Sequence, residues 1–303
     1  MPSSALRKVV RSARRFDLTW RYGFNFKPTL SYLFTPQRLS EEARRVVHDL
    51  DENGIAITSI ERLLEGHSVF RELSCAVEAL ESKRTSILTE KREKAHQSEA
   101  IGEKTFNIEL LGSRPELDLQ SVYARFALQP GILQIANCYF RMYTRLRYYN
   151  VWHTFASDAR PRESQLWHRD REDRFILKMF VYLSDVDDDA GPLTYAAGSH
   201  LKGGLCREPQ FFIEGGVKRS TDSQMAAVVP RTKWITATGR RATVVFADTR
   251  GHHKGGLARK RDRLMYLAMF TSQASESKNL LHVARPFQLP PDKAGSFALA
   301  YLR

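Results

Sequence analysis

Cysteine is scarce: Cys75, Cys138 and Cys206 are the three in 303 residues. They are odd in number, far apart and in no paired spacing. That excludes a disulfide framework and a cysteine-based zinc site, and it makes a reducing compartment the simplest setting. Long apolar runs are missing too. None reaches the length of a membrane span, and no uncharged apolar core follows the basic N-terminus as a secretory signal requires. There is no glycine-rich phosphate loop, no Gly-x-Ser-x-Gly elbow and no His-Glu-x-x-His zinc helix, so several large enzyme classes drop out. Internal repeats and low-complexity stretches are also lacking.

Negative charge is in deficit, with 47 Lys and Arg against 34 Asp and Glu and a formal net charge of +13. Such a field favours anionic partners: phosphates, carboxylates, acyl thioesters, an acidic membrane face or nucleic acid. A basic surface without a partner is the plain alternative. Nucleic acid is not expected, since no dedicated motif for it is present. The remaining composition, 42% hydrophobic and 27% charged, is that of an ordinary globular chain.

The chain divides into a basic N-terminal segment, 1–35, and one domain, 36–303. Ser3 or Ser4 can cap a helix running to about Arg15. Leu6, Val9, Val10 and Ala13 recur at helical spacing, and Arg7, Lys8, Arg11, Arg14 and Arg15 cover the other face. Trp20, Tyr22, Phe24 and Phe26 follow. Three readings compete: an apolar stripe packed on the main domain, an interfacial helix making peripheral membrane contact through residues 1–30, and an Arg-rich mitochondrial presequence. Without the latter two the location is cytoplasmic.

Helices are expected at 40–50, where Ser40 caps, at 60–64, at 70–80 and at 117–126, where Gln129-Pro130-Gly131 ends the run. A short strand is expected at 54–58. The charged stretch 81–104 reads as a solvated helix and loop. From about 132 the pattern changes to short β-rich runs at 132–140, 147–155, 175–183, 242–246 and 264–271. Turn residues separate them, among them Asp188 to Pro192, Gly203-Gly204 and Gly215-Gly216. The expected fold is mainly β with helical additions, a sandwich or jelly roll with its core at about 130–275 and N-terminal helices on one outer face.

Inside that β-rich region, His168-x-Asp170 places an imidazole and a carboxylate on the same side of a strand, because side chains alternate with period two. His252 and His253 lie beyond, in the run from Asp248 to Gly256, so a third ligand must come from another strand. Two imidazoles and a carboxylate can hold one face of an octahedral ion, the arrangement of non-haem Fe(II) oxygenases. The opposite face stays open, and a 2-oxo acid can chelate there through its carboxylate and keto oxygens. Its far carboxylate needs a buried cation. Arg263 opens an apolar strand and offers a bidentate grip, with Arg259 and Arg261 as competitors in a more exposed run. Gln165 can hydrogen-bond the cosubstrate or serve as a structural amide. Lys178 sits in an apolar strand and needs an anionic partner or a snorkelling route. Thr194 is a further candidate for lining the cavity. Trp152 and His153 can approach its opening or pack within their strand, and Gly198-Ser199-His200 reads as a turn.

The runs 165–170, 175–186 and 191–200, then Asp248 to Gly256 and Arg263-Leu264-Met265, resemble in order the core of the phytanoyl-CoA dioxygenase family. The resemblance covers roughly 130–272. It implies a double-stranded β-helix (cupin-like) with Fe(II) and 2-oxoglutarate, and ascorbate as a stimulant. It puts the iron ligands on His168, Asp170 and His253 and the 2-oxoglutarate arginine on Arg263. One departure is His252, where the family shows an apolar residue; the flanking Asp248-Thr-Arg-Gly and Lys-Gly-Gly favour His253. Related halogenases replace the carboxylate with a small residue, so Asp170 points to hydroxylation or another oxidation. The expected activity is hydroxylation of a small-molecule or lipid-linked, anionic substrate. The rival is a catalytically inactive β-helix module that binds anionic lipid or nucleic acid through its basic surface.

Overall fold

A computed structural model describes residues 16–64, 66–97, 105–205 and 207–302 of the chain. The amphipathic helix expected up to Arg15 and Cys206 lie outside the described residues. Cys75 and Cys138 are free thiols. No helix among the described residues is long and apolar enough to cross a membrane.

The strands are β1 (Ile55–Ser59), β2 (Asn107–Glu109), β3 (Arg145–Thr154), β4 (Leu177–Tyr182), β5 (Leu193–Ala196), β6 (Phe212–Glu214), β7 (Val217–Arg219), β8 (Trp234–Ala237), β9 (Thr243–Asp248), β10 (His253–Lys254) and β11 (Arg263–Thr271). Six of them form an antiparallel sheet in the order β1-β9-β4-β11-β3-β2. A smaller sheet has the order β10-β5-β8. It widens through two antiparallel bridges, His168 to His253 and Trp167 to Ser220, the residue after β7. This is the double-sheet jelly roll expected from the spacing of short strands.

Side-chain parity explains what lies between and outside the sheets. Along the large sheet Phe180, Tyr182, Val245, Ala247, Met265, Leu267 and Met269 face the small sheet and meet Leu193 and Tyr195 there. The alternate positions, including Met179, Val181, Val244, Phe246, Tyr266 and Phe270, face the helices. Each large apolar side chain so buried contributes about 1.5–3 kcal/mol. The covering helices are Glu41–Asn53, Ser68–Lys83, Val122–Ala127, Pro130–Phe140 and Lys293–Leu299. Ser40 caps the first as expected, its Oγ accepting from the Ala43 N–H at 3.1 Å.

Two expectations need correction. Residues 132–140 are not a strand but most of the helix Pro130–Phe140, with Pro at its first turn. Ile132, Leu133, Ile135, Ala136, Tyr139 and Phe140 are buried, and the half-buried face holds Gly131, Gln134 and Cys138, of which only Gln134 is strongly polar, so little polarity marks the 3.6-residue period. The helix expected at 117–126 is shorter, Val122–Ala127, and starts where the Ser121 side chain caps it.

Candidate metal centre

The run from Asp248 to His253 is shaped by a buried carboxylate. Asp248 Oδ2 accepts from the Tyr139 hydroxyl at 2.6 Å, and Oδ1 accepts from the Arg250 N–H at 3.0 Å and the Ile176 N–H at 3.3 Å. Its carbonyl accepts from Gly251 N–H at 2.9 Å and closes the turn. Burial raises the Asp248 pKa, and these hydrogen bonds hold it back. Gly251 is required by contact rather than by torsion: a Cβ there would collide with the Tyr195 hydroxyl oxygen.

The turn delivers His253 to β10, opposite His168, with which it exchanges two N–H···O=C bonds of 3.0 Å. His253 Nδ1 donates to the Gly251 carbonyl at 3.0 Å, and His168 Nδ1 donates to the Leu166 carbonyl at 2.8 Å. A carbonyl can only accept, so each Nδ1 carries the proton and each Nε2 presents a lone pair. Burial lowers the pKa of both imidazoles despite the Asp170 carboxylate, which keeps them neutral, the state a metal requires.

Asp170 completes the cluster. Its N–H is held by the Thr249 carbonyl at 2.9 Å. Oδ1 lies 4.0 Å from His168 Nε2 and Oδ2 3.9 Å from His253 Nε2. One donor atom from each of the three residues falls within 4.8 Å of the others. Burial works against the charged carboxylate, but the Lys178 ammonium beside it outweighs that and holds its pKa below the usual range. Lys178 Nζ is 2.6 Å from Asp170 Oδ2, so the lysine has the anionic partner its apolar strand demanded.

His252 goes the other way. It faces the opposite side of the strand, toward a second groove shared with Glu208 and Arg250, and burial with Arg169 nearby brings its pKa down to about 3. Adjacent residues of a strand point to opposite faces, so only one histidine of the pair can join His168.

The cluster opens into a cavity of about 350 Å³ between the sheets. Trp152, Phe180, Tyr182, Leu193 and Met265 form much of its wall, and Gln165, Lys178 and Arg263 reach it as expected. Gln165 Oε1 accepts from the Arg162 N–H at 3.2 Å, while its buried Nε2 has no hydrogen-bond partner. Arg263 donates from Nη1 to the Gly191 carbonyl, and its buried Nε has no partner. Burial depresses its pKa. Thr194 does not line the cavity. It pairs with Lys254 and Thr236, whereas Leu193 and Tyr195 on either side point inward, so the candidate was placed on the wrong parity. Trp152 lines the cavity, but His153 faces outward between Glu81 (2.6 Å) and Asp262 (2.8 Å). Gly198-Ser199-His200 is a turn: Gly198 has φ +74° and the Ser199 hydroxyl donates to the Ala196 carbonyl.

One lining residue had no place in the sequence-based expectations. Arg219, at the end of β7, is buried against the cavity with Nε and Nη1 unpartnered. The visible signal was Gly215-Gly216, two positive-φ residues that join β6 to β7 in a two-residue hairpin.

The donor set and surroundings fit a hexacoordinate cation with a keto acid. Two neutral nitrogens and a carboxylate suit Fe(II), and the unpartnered Arg263 and Gln165 donors are what a carboxylate-bearing ligand would satisfy.

No protein-family model and no curated protein matches the chain. Among solved structures, EctD from S. alaskensis with bound Fe is similar at a TM-score of 0.53, with 17% identity over 82% of this chain and 85% of that one. The non-heme alpha ketoglutarate dependent carbocyclase SnoK from nogalamycin biosynthesis gives 0.47 and 19% identity, over 78% of this chain and 85% of its own. The epimerase SnoN, in complex with Fe3+, alpha ketoglutarate and nogalamycin RO, gives 0.48 and 18%, over 76% and 84%. The similarity to EctD is one of fold, and it agrees with the two-sheet architecture described above.

Proposed function

We propose that the protein is an Fe(II)- and 2-oxoglutarate-dependent oxygenase that hydroxylates a carbon substrate. The observation that carries this reading is the convergence of three donors, His168 Nε2, His253 Nε2 and a carboxylate oxygen of Asp170, in the wall of a cavity that is also lined by the buried Arg263 guanidinium, whose Nε has no partner. The sequence pattern resembling the phytanoyl-CoA dioxygenase family supports it, as do the bound Fe and alpha ketoglutarate named for structurally similar proteins.

Fe(II) with the keto acid would supply an oxidant strong enough to take hydrogen from an unactivated carbon. The chain supplies the rest. His168, Asp170 and His253 would hold the ion, and the Leu166 and Gly251 carbonyls fix the tautomers that make this possible. Lys178 holds one oxygen of Asp170 and so orients the carboxylate. Arg263 would bind the far carboxylate of the keto acid, with Gln165 Nε2 as an additional donor. Trp152, Phe180, Leu193 and Met265 exclude water from the reacting space. Succinate release from 2-oxoglutarate by anaerobically reconstituted protein, measured after admitting oxygen with ascorbate present, tests the reading. Turnover is expected for the wild type and none for Asp170→Ala. Absence of both succinate and iron uptake in the wild type would favour the inactive binding module.

A membrane contact at the N-terminal end is part of the proposal. Phe26 is 53% and Phe34 82% exposed, and Arg7, Lys8, Arg11, Arg14 and Arg15 precede them in the sequence. Cationic and apolar side chains together favour anionic lipid. Co-sedimentation with phosphatidylserine vesicles should fall in a Phe26→Ser, Phe34→Ser double variant; equal binding by both proteins removes this part.

A further inference from the structure

The charge inside the cavity does not balance. Lys178 is answered by Asp170. Arg219 and Arg263 have no such answer: among the described residues neither has an ion-pair partner, and Nε of both and Nη1 of Arg219 are buried without a hydrogen bond. A buried guanidinium with free N–H donors and no ion pair is costly; the Gly191 carbonyl offsets part of that cost at Arg263, and more distant carboxylates part of it at Arg219. If the triad holds a divalent ion, the ion and the two guanidiniums bring four positive charges. A dianionic keto acid on the metal and Arg263 cancels two of them; of the two that remain, one stays on the ion and the other is Arg219.

Sheet register says where Arg219 sits. Trp167 and Ser220 exchange N–H···O=C bonds of 3.1 and 3.0 Å. The next opposed positions are therefore His168 and Arg219, a non-hydrogen-bonded pair of the kind whose side chains stand closest. Directly opposed residues share a face of the sheet. Arg219, His168 and His253 thus form one inward row, and Arg219 lines the cavity beside the first histidine. Three carboxylates, Glu214, Glu163 and Asp170, act on it without forming an ion pair. Glu214 is engaged elsewhere, accepting the Glu163 N–H at 2.6 Å. The guanidinium is left aimed at the cavity.

We propose that Arg219 binds an oxyanionic group of the primary substrate, a carboxylate or a phosphate monoester, next to His168. The substrates are then anionic molecules whose oxidised carbon lies within a few bonds of the charged group, because a cavity of about 350 Å³ must also take the keto acid. This rests on the oxygenase reading above and deepens it.

Three probes of one chain length separate the possibilities: hexanoate, hexyl phosphate and hexan-1-ol. Full-length protein is loaded with Mn(II), a paramagnetic stand-in for iron, and 2-oxoglutarate, and broadening of the probes' proton resonances reports their approach to the ion. Broadening of one or both oxyanions but not of the alcohol is expected, and which of the two responds tells carboxylate from phosphate. Arg219→Met should weaken oxyanion binding by about tenfold or more, the loss of one charge-assisted hydrogen-bonded pair, while Mn(II) and keto acid affinities stay within about twofold of wild type. Arg219→Lys should keep part of the binding. The melting temperature of Arg219→Met should hold or rise, since an unpartnered charge is replaced by an apolar chain of similar length. A purely structural arginine would lower it. The proposal is overturned if hexan-1-ol binds as well as the anions, if neither anion binds the wild type, or if Arg219→Met loses the keto acid rather than the probes. Failure of the wild type to take up Mn(II) would instead sink the oxygenase reading. Saturation-transfer measurements on metal-free protein then decide the arginine's role: oxyanion binding lost in Arg219→Met sustains it, and unchanged binding overturns it.

Discussion

At the residue scale the site depends on which nitrogen carries a proton. Two backbone carbonyls, those of Leu166 and Gly251, leave both Nε2 atoms unprotonated, and burial keeps both rings neutral. The same burial makes Arg263 valuable, because a charge-assisted pair counts for more where water cannot compete. Arg263→Gln should raise the dissociation constant for 2-oxoglutarate roughly ten- to a hundredfold, matching about 1.5–3 kcal/mol for a hydrogen bond to a charged group. Isothermal titration with Mn(II) present measures it. A change under about twofold would mean that another cation takes the far carboxylate.

At the element scale, parity decides which neighbours cooperate. His253 rather than His252, and Leu193 rather than Thr194, face the cavity because a strand turns each successive side chain over. The sequence motif made His168 and Asp170 legible, since their spacing of two is itself the parity. Thr194 was misjudged because no residue near it revealed which way β5 faces. The β6–β7 hairpin was visible only as a Gly-Gly turn. Its strands are three residues each and carry exposed Phe212 and Ile213, so no buried pattern flagged Arg219. The helix Pro130–Phe140 imitated a strand because its half-buried face carries little polarity beyond Gln134. The turn before His253 is tightly packed. Gly251→Ala sets a methyl against the Tyr195 ring, so the turn must move. We expect a loss of about 2–4 kcal/mol in urea unfolding, with metal affinity reduced as His253 shifts. A variant as stable as wild type, with metal binding unchanged, would show that the turn yields without moving the histidine.

For the whole molecule, charged contacts tie the sheets to their helical cover, and one reports on pH. His153 on β3 links Glu81 of the helix Ser68–Lys83 to Asp262 just before β11. Burial opposes the imidazolium, but the two carboxylates outweigh it and raise the His153 pKa. A raised folded-state value means the contribution is fully present below about pH 6.5, the unfolded value, and is lost as pH rises through the folded one. Asp262 has the opposite sign. Burial acts against its charge, but His153 and the Ala156 N–H bring its pKa to about 2, so its contribution is present above about pH 4 and is lost as pH falls toward 2. Melting curves of His153→Ala should show a deficit near pH 6 that shrinks toward pH 9, at about 2–4 °C for each kcal/mol lost. A deficit that stays constant or grows with pH would contradict the charged link.

The same two-sheet frame brings side chains 85 positions apart into one cluster, and that they hold a single ion is the central claim. Anaerobic equilibrium dialysis against Fe(II) tests it most directly, using wild type, His252→Ala and His253→Ala. The account predicts one iron per chain for the wild type and for His252→Ala, and none retained by His253→Ala. Stoichiometric iron in His253→Ala, or its loss in His252→Ala, would contradict it.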